Sequence, residues 1–125
     1  MRISLSCFIL LLFISMPLAA RHHHNGHIKD PVPASFDQDV VIIDVRTDGE
    51  FDDEHVINAL HIFYRDIDDE IGEVTADKDR QILVYCAVGM RASHAQDTLH
   101  ELGYTNVINM GGLEDMIEVG FKTMD

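Results

Sequence analysis

Cys86 follows an apolar, strand-like run, Gln81-Ile82-Leu83-Val84-Tyr85, and opens the stretch Cys86-Ala87-Val88-Gly89-Met90-Arg91. A helical repeat begins directly afterwards, with Ala92, Ala95, Leu99 and Leu102 along one face. A strand that hands a thiol to a short glycine-containing loop ahead of a helix N-terminus surrounds sulfur with backbone N–H groups, which favours its anionic form. Sulfur chemistry with Cys86 as the nucleophile is therefore the first expectation. The reactive species is the thiolate, and a free thiol is mostly protonated near neutral pH. A helix end contributes about 0.3–1 kcal/mol toward an anion, so the amides of Ala87, Val88, Gly89, Met90 and Arg91 must provide most of the rest. Gly89 permits the backbone twist that turns those amides inward. Ala87, Val88 and Met90 bring no side-chain charge and act through main chain and shape.

The N-terminus defines the setting of this thiol. Residues 1–20 carry one positive charge at Arg2, an apolar run from Leu5 to Leu18 broken by Ser6, Ser15 and Pro17, and then Ala19 and Ala20, the pattern of a secretory signal peptide cleaved after Ala20. A transmembrane anchor needs about 20 apolar residues, and Pro17 with the polar Arg21-His22-His23-His24 cuts this run short. Of the 2 cysteines, Cys7 leaves with the signal, so the exported chain keeps one and cannot close an internal disulfide. A solitary thiol in an oxidising compartment is buried and inert, paired with a partner, or reactive, and the position of Cys86 favours the last. A periplasmic or secreted location follows. The remaining chain, about 105 residues, has room for one domain.

The formal net charge is −13, from 9 Lys+Arg against 22 Asp+Glu. Such a surface repels nucleic acid and anionic lipid, which excludes both as partners, and no membrane association is expected after signal cleavage. It also gives an anionic substrate no long-range steering. Residues 21–35 read as a flexible leader with His22, His23, His24, His27 and two prolines. No cysteine or carboxylate cluster completes a metal site there, so the histidines read as a solvated tail and no metal is assigned.

From Val40 the element type alternates, and residues 36–125 read as the folded domain. Val40-Val41-Ile42-Ile43-Asp44-Val45 is a β-branched run apolar enough to be buried on both faces, as parallel strands are. Thr47 with Glu50 three positions on is a capping-box signature for a short helix carrying Phe51. Ala59–Ile62 predicts a short strand, Tyr64–Ile71 a helix, Gln81–Tyr85 a core strand, and the segment after the cysteine loop a helix stopped by Gly103. Asn106–Asn109 predicts a last strand, Gly111-Gly112 a turn and Leu113–Val119 a closing helix. The alternation implies an α/β fold, a central parallel sheet flanked by helices on both faces. Ligands bind such sheets beyond the carboxyl ends of their strands, where Cys86 falls. Arg46 and Glu50 read as a local ion pair organising the turn after the first strand, and His94 and His100 as solvent-facing. The acidic run Asp66-Ile67-Asp68-Asp69-Glu70 lacks the glycine and ligand spacing of a calcium loop and reads as a solvated helix face.

Several linked segments resemble the single-domain rhodaneses of the exported type. They are Asp44-Val45-Arg46 with Glu50-Phe51; His55-Val56-Ile57-Asn58-Ala59; Val84-Tyr85-Cys86 with Gly89 and Arg91 through Ser93; Leu102-Gly103-Tyr104; and Gly111-Gly112-Leu113. The match spans about Val40 to Val119. Asn58 departs from the family's usual glycine, His61 from asparagine and Phe63 from proline. The resemblance implies a rhodanese-like fold and thiosulfate sulfurtransfer without a cofactor, with a persulfide on Cys86 and the loop from Ala87 to Arg91 binding the substrate. Arg91 would then bind departing sulfite or anchor the loop to an acidic group. Cyanide, a small thiol or a thioredoxin-like redox protein could accept the sulfur. The rival readings are a non-catalytic binding module of the same fold, and a cysteine phosphatase. Cysteine phosphatases of related design place their arginine six positions after the cysteine, which here is Ala92, and no general-acid aspartate is identifiable.

Overall fold

In the computed structural model, residues 27–125 are described. Four strands form a parallel sheet: β1 (Val41–Asp44), β3 (Leu60–His61), β4 (Ile82–Cys86) and β5 (Val107–Gly112), in the order β3-β1-β4-β5. Every residue of β1 and β4 is buried, which is why both read as unbroken apolar runs instead of alternating ones. One face of the sheet packs against α2 (Ile67–Val74) and α3 (Met90–Glu101), through Ile67, Ile71, Ala92, Ala95 and Leu99 on Ile43, Val84 and Val107. The other face, with Ile42, Leu83, Tyr85 and Met110, is covered by Met116 and Leu113 of α4 (Leu113–Glu118) and by Phe36 and Phe121. The α/β architecture with helices on both faces is the one the alternation implied.

α1 (Asp48–Asp53) is fixed by the capping box: Glu50 N–H donates to Thr47 Oγ1, and Glu50 Oε2 accepts from Thr47 N–H at 3.0 Å. α2 starts later than the spacing predicts. Ile62 N–H donates to Asp44 O and Tyr64 N–H to Val45 O, so the chain stays beside β1 until a turn at Phe63–Asp66 releases it. α3 ends where expected, on a pair of bonds from Gly103 N–H to His100 O and Tyr104 N–H to Leu99 O. Leu102, counted on its apolar face, is exposed at the cap.

Two features were not expected. β2 (His55–Val56) pairs antiparallel with β6 (Thr123–Met124), a second sheet whose strands are too short to produce a periodicity. And β5 runs through the anticipated Gly111-Gly112 turn: Val84 faces Asn109 while Cys86 faces Gly112, so β5 carries one extra residue, a bulge beside the cysteine. Asn58, where glycine was usual, has a φ of 68°, and asparagine is among the side chains that tolerate that conformation. Residues 1–20, read from the sequence as a signal peptide, and residues 21–26 lie outside the described residues. Residues 27–30, assigned to the leader, bond to the loop after β4 and to β5 and α4.

Candidate active site

β4 ends at Cys86, which is 1% exposed, and α3 starts at Met90, so Ala87, Val88 and Gly89 span the gap at the carboxyl edge of the sheet. Gly89 N–H donates to Cys86 Sγ at 3.0 Å. Of the amides expected to surround the sulfur, this one makes the bond. Gly89 has a φ of +94°, and a Cβ there would overlap the carbonyl of Ile28, so no other residue fits. Gly112 is constrained from the opposite side: a Cβ would overlap the Ala87 carbonyl oxygen. The bulge in β5 thus brings a side-chain-free position against the loop's main chain. Asn109, buried at 1% exposure, ties these pieces together, donating from Nδ2 to Gly89 O at 2.9 Å and accepting the Gly111 N–H on Oδ1 at 2.9 Å.

Ala87, Val88 and Met90 are exposed, so the rim of the loop is apolar and uncharged. Arg91 sits in the first turn of α3 and makes a bidentate pair with Glu50, Nη1 to Oε2 at 2.7 Å and Nη2 to Oε1 at 2.9 Å. This bond, aided by those from Thr47, holds the Glu50 carboxyl down at about 2. Glu50 in turn raises the Arg91 guanidinium above its ordinary value, with smaller contributions from nearby Cys86.

The expected Arg46–Glu50 pair is corrected. Arg46 bonds instead to the fully buried Asp44, with Nη2 to Oδ2 at 2.7 Å and Nε to Oδ1 at 3.0 Å, and reaches Glu54 O through Nη2. A buried carboxylate on the last residue of β1 needs a charged partner, and Arg46, two positions away, supplies it, which leaves Glu50 free for Arg91. Burial works against the Arg46 charge, and Asp44 outweighs it, so the guanidinium stays above its ordinary value. His61 donates from Nε2 to Arg46 O at 2.7 Å. His94 is exposed and meets Tyr64 edge-on at 5.6 Å.

Of the residues singled out in the sequence, the structure brings Cys86, Gly89 and Arg91 to one loop and helix start. Sequence reasoning missed Glu50 as the anchor of Arg91, Asn109, Gly112, and the contact of residues 27–30 with the loop. An acidic partner for Arg91 was anticipated without being named. The Gly111-Gly112 pair was a visible signal, read as a turn.

A model of the rhodanese-like domain matches residues 29–118. The chain belongs to the rhodanese-like family. Among family members, the thiosulfate sulfurtransferase PspE of Escherichia coli (strain K12) is 38% identical over 74 residues, covering 59% of this chain and 71% of PspE. The thiosulfate:glutathione sulfurtransferase of Saccharomyces cerevisiae is 27% identical over 101 residues, covering 71% of this chain and 73% of that protein. A solved rhodanese with anions from E. coli superposes with a TM-score of 0.64 at 32% identity, covering 69% of this chain and 98% of the other. A rhodanese-like domain from Anabaena gives 0.61 at 29% identity, covering 69% and 99%. The family match begins at residue 29, within the segment assigned to the leader, and includes Asp30.

Proposed function

We propose that this rhodanese-like chain is an exported sulfurtransferase that carries sulfane sulfur as a persulfide on Cys86. The observation that carries the reading is the Gly89 N–H aimed at Cys86 Sγ from a loop at the carboxyl end of a core strand. The thiosulfate sulfurtransferase names of the relatives support the donor class.

In the first half-reaction the Cys86 thiolate attacks the outer sulfur of thiosulfate. A new S–S bond forms, the sulfur–sulfur bond of thiosulfate breaks, and sulfite leaves with the electron pair. The bound persulfide keeps one negative charge on its terminal sulfur. In the second, cyanide or a thiolate attacks that sulfur, giving thiocyanate or a new persulfide and returning the Cys86 thiolate. Every step is a two-electron displacement at sulfur, so the reaction draws on no cofactor or metal. A thioredoxin-like redox protein can serve as acceptor by the same displacement, since it presents a thiolate.

The Gly89 N–H stabilises charge on sulfur in the resting and leaving states, in the manner of an oxyanion-hole donor. Ala87, Val88 and Met90 form an apolar rim that limits solvation of that charge. Arg91 is read as a positioning residue, because Glu50 holds its guanidinium through one N–H of each terminal nitrogen and so fixes the start of α3 beside the loop. The three N–H groups outside that pair can still donate to departing sulfite. A periplasmic or secreted location rests on the sequence pattern of residues 1–20; among the described residues no helix is long and apolar enough to cross a membrane.

The assay is thiocyanate production from thiosulfate and cyanide, run beside Cys86→Ser. Turnover in the parent and none in the variant is expected. Equal rates in both would end the enzyme reading and leave a binding module.

A further inference from the structure

The Val88–Gly89 peptide carries the N–H that reaches Cys86 Sγ. In a trans peptide the carbonyl points opposite to the N–H, so the Val88 oxygen faces away from the sulfur. There it accepts the Ile28 N–H at 2.9 Å. One peptide unit is gripped at both ends, by sulfur on one side and by residues ahead of the first strand on the other. Without the second grip the unit would be free to turn. Gly89 has a φ of +94°, and a peptide preceding a glycine in a turn can rotate between alternative settings at little steric cost. Rotated, it would present the negative end of the Val88 carbonyl to Sγ and withdraw the N–H. A stabilising dipole would become a repulsive one.

The segment that supplies the Ile28 N–H is fastened at separate points. Asp30 Oδ2 accepts from Asn109 N–H at 2.8 Å and from Gln96 Nε2 at 2.6 Å, and Asp30 N–H donates to Asn109 O at 2.8 Å. Lys29 Nζ donates to Asp115 Oδ1 at 2.8 Å, and His27 Nε2 bonds to the other oxygen of that buried carboxylate. Asp115 Oδ2 also accepts the Gly112 N–H at 2.7 Å, so the fastening ends on the same bulge that abuts Ala87.

We propose that residues 27–30 form a backbone clamp on the nucleophile, in which Ile28 is a positioning residue whose N–H locks the Val88–Gly89 peptide with its donor toward Cys86. The clamp rests on Cys86 as the reactive thiol, and it extends the working domain from residue 36 back into the leader. It makes the Ile28 N–H essential and the Ile28 side chain, which is 44% exposed, dispensable.

The test compares Ile28→Ala, which keeps the N–H, with Ile28→Pro, which removes it, in the full chain without its signal. The readouts are the second-order rate of Cys86 alkylation by iodoacetamide, kcat and KM with thiosulfate, and the melting transition. Ile28→Pro is expected to react about 10-fold more slowly, less than the roughly 10²–10³-fold cost of deleting an anion-stabilising donor because the Gly89 N–H remains and only its orientation is freed, with the loss in kcat rather than KM. Ile28→Ala stays within about two-fold of the parent, as surface substitutions do. If Ile28→Pro fails to fold, Asp30→Ala loosens the same segment with the N–H in place and is expected to slow alkylation several-fold. Equal rates for the proline and alanine variants, or for Asp30→Ala and the parent, would overturn the clamp. So would a faster reaction, which would make the segment a cover. Alkylation needs no sulfur donor, so a chain that obeys the alkylation expectations yet forms no persulfide overturns the sulfurtransfer reading and leaves the clamp standing.

Discussion

The body of β4 and the loop at its end are held by different physics. From Ile82 to Tyr85 the strand lies between two apolar layers, with Ile82 and Val84 in the cluster on one face and Leu83 and Tyr85 in that on the other. Packing of that kind is redundant, because a neighbour of similar volume can replace another with modest cost. From Cys86 to Arg91 the chain is fixed by single, specific ties: Gly89 N–H to sulfur, Asn109 to Gly89 O, Ile28 to Val88 O, and Glu50 to Arg91. Substitutions in the first region should cost stability and spare chemistry. Those in the second should do the reverse.

The largest contrast comes from Cys86→Ser, which should abolish thiocyanate formation while leaving the melting transition in place; measurable turnover in that variant would erase the distinction. Leu99→Ala, beneath the sheet, should lower unfolding free energy by about 2–5 kcal/mol in denaturant titration, with kcat per folded molecule unchanged. Gly112→Ala sits where the regions meet. Its methyl overlaps the Ala87 carbonyl, so a loss of about 1–3 kcal/mol should be accompanied by a fall in kcat, and a stable, fully active variant would show that the close approach has no role.

Glu50→Gln should cost less, within about 1 kcal/mol for a partly exposed pair, while lowering activity several-fold through a loosened Arg91. The pH dependence fixes the sign. The Glu50 carboxyl is lowered from 4.5 to about 2 in the folded chain, so its stabilisation is complete above 4.5 and is lost as pH falls toward 2. Melting curves of parent and Glu50→Gln should therefore converge over that window. The smallest effect expected is from salt. With a net charge of −13 and Arg91 neutralised by Glu50, a dianionic donor meets a repulsive field, and added salt should raise kcat/KM for thiosulfate a few-fold. A fall would indicate attraction by an unpaired cation.

The same division governs what the sequence made legible. Strands β1 and β4 were readable because burial on both faces leaves an uninterrupted apolar run, and α1 because Thr47 and Glu50 are local to one turn. Cys86 and Gly89 were readable because they sit together between such a strand and a helix. The ties that fix the loop were not. Glu50 and Arg91 are 41 positions apart, and Asp30 and Asn109 are 79 apart; spacing carries no record of such pairings. Arg46 was assigned to Glu50 by proximity, when the buried Asp44 had the stronger need of it. The β5 bulge was hidden because Gly111-Gly112 has the composition of a turn, and here glycine serves close approach instead.

Persulfide formation is read most directly from the intact mass of the chain, without residues 1–20, after incubation with thiosulfate. A gain of one sulfur atom is expected, removed by reductant, mapped to Cys86 and absent from Cys86→Ser. An unchanged mass in the parent, or the same gain in the serine variant, would rule out Cys86 as the sulfur carrier.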